Sequence, residues 1–165
     1  MTPRAEFVLL ATVAGALVSV LGYLVASAVV FGTGAAGAMR TALLWSPAGA
    51  LAAAGGAWSG SGWQRRAQRA GRRWGALGLA MRSAVLAVLA YPLLAAAWVV
   101  FTAWLDHRFA ASGAPLGELW NWLPSIILVA STMALLLGAL PALLIYLALG
   151  RRYLRRLGGQ DPETA

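Results

Sequence analysis

The sequence predicts an all-α integral membrane protein. The expected fold is a four-helix bundle with both termini in the cytoplasm and a short amphipathic cytoplasmic segment between spans two and three. Three observations carry this. Of 165 residues, 61% are apolar and 11% charged, whereas soluble domains are about half apolar and a quarter charged. The apolar residues gather into four stretches. Of the thirteen basic residues, all arginine, nine lie in two of the segments outside those stretches.

The first span is expected over about residues 7–31. At 1.5 Å per residue it reaches roughly 38 Å, enough for a ~30 Å hydrocarbon core with tilt. An alternative reads this stretch as a signal peptide cleaved at Ala26-Ser27-Ala28, but the apolar run is long for that. The second span, about residues 42–58, is short, rich in Ala and Gly, and the weakest of the four. The third covers about 77–104 and the fourth about 123–149. Pro47, Pro92 and Pro141 fall inside spans two, three and four, where each removes a backbone hydrogen bond and can kink the helix. Pro124 suits the first turn of the fourth. The expected organisation is a single membrane domain over residues 1–157 with a flexible polar tail, 158–165.

Arginine placement sets the orientation. Arg4, Arg65, Arg66, Arg69, Arg72, Arg73, Arg82, Arg151, Arg152, Arg155 and Arg156 fall on one side, against Arg40 and Arg108 on the other. Positive charge is retained in the cytoplasm, so this division places both termini and the middle loop inside. The expected location is a bacterial inner (plasma) membrane. Written as a helix, the middle loop puts Arg65, Arg66, Arg69, Arg72 and Arg73 within a ~120° arc, with Trp63, Ala67, Ala70 and Trp74 opposite. That pattern suits contact with anionic lipid headgroups. A membrane loop this short is a poor nucleic-acid binder, and no nucleic-acid partner is expected.

Candidate chemistry is sparse. The chain has no cysteine and one histidine, which removes disulfides, thiolate metal sites and Cys nucleophiles. Two axial histidines for a b-type haem are also missing. Proton-coupled transport and membrane aspartyl proteolysis need intramembrane carboxylates, and the spans contain none. Asp106-His107-Arg108 sits at a membrane exit, and three consecutive helical residues point in different directions, so no catalytic role is expected. Trp104, Phe109, Trp120 and Trp122 crowd the same loop as an interfacial belt. No catalytic residue, cofactor or metal site is predicted. Arg82, near the cytoplasmic end of span three, is the best intramembrane ionisable candidate. It could form a buried ion pair or meet a lipid headgroup.

The spans do carry small residues at helical spacing. Thr12, Gly15, Ser19, Gly22 and Ala26 form a stripe down span one, and Gly138 belongs to a shorter one in span four. Small residues let helices approach closely in lipid. These positions are expected to pack helices together or to dock a partner. A faint repeat relates Leu21–Phe31 to Leu89–Phe101, suggesting two hairpins of equal sense.

The expected function is a non-catalytic accessory, assembly or anchoring subunit of a larger membrane complex, with membrane lipids and other membrane subunits as partners. The alternative is a small homo-oligomeric transporter or channel. Its polar path would draw on Thr12, Ser19, Tyr23, Tyr91, Ser131, Thr132 and Tyr146.

Overall fold

The computed structural model describes residues 2–31, 35–72, 74–109 and 116–158, with the side chains of 30, 31, 35, 36, 108, 109, 116 and 158 excepted. Everything described is helical or a short connection. The helices are α1 (Pro3–Phe31), α2 (Ala35–Arg69), α3 (Ala76–Phe109), α4 (Leu116–Met133) and α5 (Ala139–Gly158). A π turn over Ala134–Gly138 joins α4 to α5 without a break. Three stretches are long and apolar enough to cross a membrane: Pro3–Val29, Ala76–His107 and Gly117–Leu157. Their presence marks a membrane protein.

Helix ends follow their sequences. Thr2 caps α1, its hydroxyl oxygen accepting from Ala5 N–H at 3.3 Å, with Pro3 in the first turn, where its missing N–H costs nothing. The end of α2 closes on Gly71 at φ +71. Gly71 N–H donates to Gln68 O at 3.0 Å and Arg72 N–H to Ala67 O at 2.9 Å. This is a Schellman closure, whose left-handed position a glycine fills without Cβ strain.

Two expectations need correction, and a third, a spanning second helix, is met by the helix but not by its composition. No separate amphipathic segment lies between the second and third helices. Helix α2 runs unbroken through Arg65 and Arg66 to Arg69, because no proline stands between Ala48 and Ala70 and its glycines are held in close contact with neighbouring helices at Gly49, Gly56 and Gly60. Its start also moves back, to Ala35. This helix is not among the stretches apolar enough to span by composition. Its Ala, Gly and Ser content lowers its hydropathy. Second, the fourth helix begins at Leu116, so Pro124 lies inside it rather than in its first turn. The kink expected at Pro141 takes the form of the π turn just before it. Pro141 has no N–H for Leu137 O, and its ring would press on that carbonyl; widening the preceding turn relieves both.

The helices pack in a ring of antiparallel neighbours: α1 on α2, α2 on α3, α3 on α4 and α5, and α5 back on α1. One end of the molecule therefore gathers the chain start, the α2–α3 connection and the end of α5. Here a core cluster forms from Phe7, Ala57, Leu79, Ala84, Tyr146 and Tyr153. Phe7 stacks on Tyr153 at 5.1 Å between ring centroids. Helix α2 is lined with buried small residues, Ala42, Ala48, Ala52 and Ala57 among them. Close approach is literal on both its faces. A Cβ at Gly56 would lie 2.5 Å from Ser83 O of α3, and one at Gly49 would lie 2.8 Å from Gly15 O of α1.

Candidate functional site

Two regions concentrate what chemistry the fold has: a basic end and an apolar groove.

The basic end carries the exposed arginines Arg65, Arg66, Arg69 and Arg72 of the α2 terminus and Arg151, Arg152, Arg155 and Arg156 of α5. Arg73 lies outside the described residues. Ala67 faces inward and is buried, with Gln64 one turn earlier, so the arginines form an outward face, as the arc of the sequence implies. Trp63, expected on the opposite side, is itself exposed.

Two α1 residues tie this end together. Glu6 pairs with Arg152 at 2.6 Å and also with Arg156. Arg4 donates through Nε to Ser61 Oγ at 3.2 Å and through Nη2 to Trp58 O at 3.3 Å. Its guanidinium lies 3.6 Å over the Trp58 ring, a cation–π contact. Sequence reasoning missed both ties. Glu6 and Arg156 are 150 residues apart, and only the antiparallel placement of α1 and α5 brings them together.

Arg82 is exposed rather than buried. Its guanidinium stacks 3.5 Å over Trp74, on the connection leading into α3. Among the described residues no acid pairs with it.

The groove lies between α1, α2, α3 and the α4–α5 helix, with a volume of about 410 Å³. Gly15, Ser19, Gly22 and Ala26 of α1 line one wall, and Val129, Met133 and Gly138 line the opposite one. Tyr146 and Ala11 close it toward the basic end. Toward the other end it widens, because α1 packs on α5 and the π turn but draws away from α4. Val129 lines the groove and is still 58% exposed, which marks the mouth.

The α1 stripe thus divides. Gly15 and Ser19 pack on α2: Cβ atoms at Gly15 and Gly49 would meet Ala53 and Ser19 respectively. Gly22 and Ala26 line the groove, and the nearest atom to a Cβ at Gly22 is Leu137 Cβ at 4.0 Å. Thr12 turns its hydroxyl to its own helix, donating to Val8 O at 2.7 Å. Gly138 faces the groove, with open space where its Cβ would be.

The hydroxyls expected along a polar path are mostly committed to backbone carbonyls. Besides Thr12, Ser19 donates to Trp45 O, Ser131 to Ile127 O and Thr132 to Leu128 O. Tyr146 donates to Ala53 O at 2.6 Å, joining α5 to α2. Among the described residues, no three His, Cys, Asp or Glu side chains cluster as a metal site would need. Asp106 and His107 are exposed at the far end.

No known protein family, characterised protein or solved structure matches the chain. What the fold defines is a class, a helical membrane protein, with a basic end and an apolar lateral groove.

Proposed function

We propose that this chain is a non-catalytic, multi-pass protein of a bacterial inner membrane. In this reading it serves as an accessory, assembly or anchoring subunit of a larger membrane complex. All four helices cross the bilayer, with the basic end and both termini in the cytoplasm and the arginine face against anionic headgroups.

One observation carries the reading. No Arg, Asp, Glu or His falls in the stretches 7–39, 41–64, 83–105 and 119–150, so the charged residues are confined to short segments between and beyond them. Reaction chemistry or ion coupling within the bilayer needs polar groups there. The hydroxyls that exist are largely held by backbone carbonyls, which disfavours a continuous polar path.

Helix α2 fits as a span despite its low hydropathy. Lipid meets only its outer face, where Leu43, Leu44, Leu51 and Trp58 are exposed. Ala42, Gly49, Ala53 and Gly56 face neighbouring helices, where close approach favours association in lipid.

The test is gentle detergent extraction of the native protein, followed by identification of whatever copurifies. A partner of different sequence at fixed stoichiometry is expected. A homogeneous self-oligomer with nothing else bound overturns the subunit reading and favours a small transporter or channel.

A further inference from the structure

The basic end holds two neighbouring arginines that no carboxylate balances. Arg4 is half-buried, and its guanidinium is fixed by the Trp58 ring, by Ser61 Oγ and by Trp58 O. Its Nη1 has no hydrogen-bond partner among the described residues. Arg65 stands one turn beyond Ser61 on the same face of α2. Residues four apart on a helix are neighbours, and their side chains lean toward the helix start. Arg65 therefore leans back toward Ser61, where Arg4 is held. The two arginines are close enough to repel one another, and both act electrostatically on Tyr153 of α5. Residues of α1, α2 and α5 thus converge on one spot.

Glu6 is the only acid at this end among the described residues, and Arg152 and Arg156 already hold it. Neither Arg4 nor Arg65 has an ion-pair partner among the described residues. Like charges side by side disfavour one another, and an anion between them reverses the sign of that interaction. A guanidinium already fixed in place loses little further freedom on binding, and its N–H fork matches phosphate oxygens. Two cations with no spare carboxylate favour a head of net negative charge over one that also bears an ammonium. Trp58 is 59% exposed, on the outer face of α2 that also carries Leu44 and Leu51. An exposed tryptophan against the guanidinium suits headgroup depth, where the phosphate at hand is that of a phospholipid.

We propose that Arg4 and Arg65 together hold the phosphate of one anionic phospholipid of the inner leaflet. This is a discrete site, distinct from the diffuse contact of the exposed arginines with the headgroup layer. It rests on the reading that the basic end lies at the cytoplasmic surface of a bilayer.

The experiment uses the full chain in neutral detergent, mixed with phosphatidylglycerol and phosphatidylcholine, with bound lipid counted by native mass spectrometry. One phosphatidylglycerol retained per chain, in preference to phosphatidylcholine, is expected. Arg65→Gln, at an exposed position, should lower that retention about tenfold. Arg4→Lys keeps the charge but loses the planar fork, and should lower it roughly threefold. Arg155→Gln, two residues past Tyr153 and so on the far side of α5, should change it by less than about twofold. Equal losses in Arg65→Gln and Arg155→Gln overturn the discrete site, as does equal retention of the two lipids. Inorganic phosphate added in excess should not displace the lipid; displacement would make a free anion the ligand and overturn the lipid assignment. Helix crossing is read separately by cysteine labelling. Unchanged retention by Arg65→Gln in a correctly inserted protein therefore overturns the site alone.

Discussion

The two halves of the molecule are built from the same small and aliphatic residues and pack in opposite ways. In the half toward the basic end, glycines meet backbone: Gly56 sits against Ser83 O, Gly15 against Gly49 O. Phe7, Tyr146 and Tyr153 fill the remaining space, and Arg4 and Glu6 tie the helix ends. In the other half Gly22 and Gly138 have no such neighbour, and α1 parts from α4. Small residues therefore do not by themselves specify close packing. What differs is the facing helix. Helix α2 presents Gly49 and Ala53 to α1, while the π turn before Pro141 alters the course of the facing helix.

A pair of substitutions on one helix exposes this difference most strongly. Gly15→Leu forces a side chain into the Gly49 backbone and should destabilise the protein by about 3 kcal/mol, near the upper end for overpacking. Gly22→Leu, two turns on, enters the groove and should cost well under ~1 kcal/mol. Thermal unfolding in detergent separates them. Similar losses in both would show that the halves are packed alike.

The next effect is smaller. Tyr146→Phe removes the hydroxyl donated to Ala53 O, the hydrogen bond joining α5 to α2 in the closed half. A loss of about 1 kcal/mol is expected, seen as a lowered unfolding temperature in the same assay. No change would mean that aromatic packing against Phe7 carries the contact without the hydroxyl.

Breaking the Glu6 pairs should matter less. Glu6→Gln removes the partner of two half-exposed arginines, Arg152 and Arg156, and pairs of that kind contribute ~0–1 kcal/mol. The unaltered protein should lose the same increment as salt is raised, while the variant shows no salt response at this site.

The smallest effect is expected at Ser83. Its Oγ is fully buried against Gly60 and has no hydrogen-bond partner among the described residues. Ser83→Ala removes an unsatisfied hydroxyl, so stability should stay within about 0.5 kcal/mol or rise slightly. A clear loss would reveal a partner for that oxygen on the closed seam.

Much of the fold is legible in the sequence, and the reasons are physical. The apolar runs around Leu17, Leu93 and Leu143 announce long helices, because a run without charges has few alternatives. The arc of Arg65, Arg66 and Arg69 is readable as an outward face. That it continues α2 is not, since the alanines and glycines before it resemble a loop in composition. The groove is not legible at all. It depends on where α1 and α4 part, and thus on the turn geometry near Pro141 rather than on any local pattern. The ties of Arg4 to Ser61 and of Glu6 to Arg156 depend on helix order around the ring, which one sequence does not encode in any short window.

The central claim is that four helices cross the membrane, α2 included, with the arginine-rich end in the cytoplasm. The chain has no cysteine, so single introduced thiols report without background. Thr41→Cys, Gln68→Cys, Asp106→Cys and Arg155→Cys place one thiol toward each end of α2, one at the far end of α3, and one near the end of α5. Intact spheroplasts are treated with a membrane-impermeant maleimide, before and after permeabilisation. The thiols at 41 and 106 should label from outside, and those at 68 and 155 only after permeabilisation. Labelling of 41 and 68 from the same side would show that α2 does not cross, and would contradict the account.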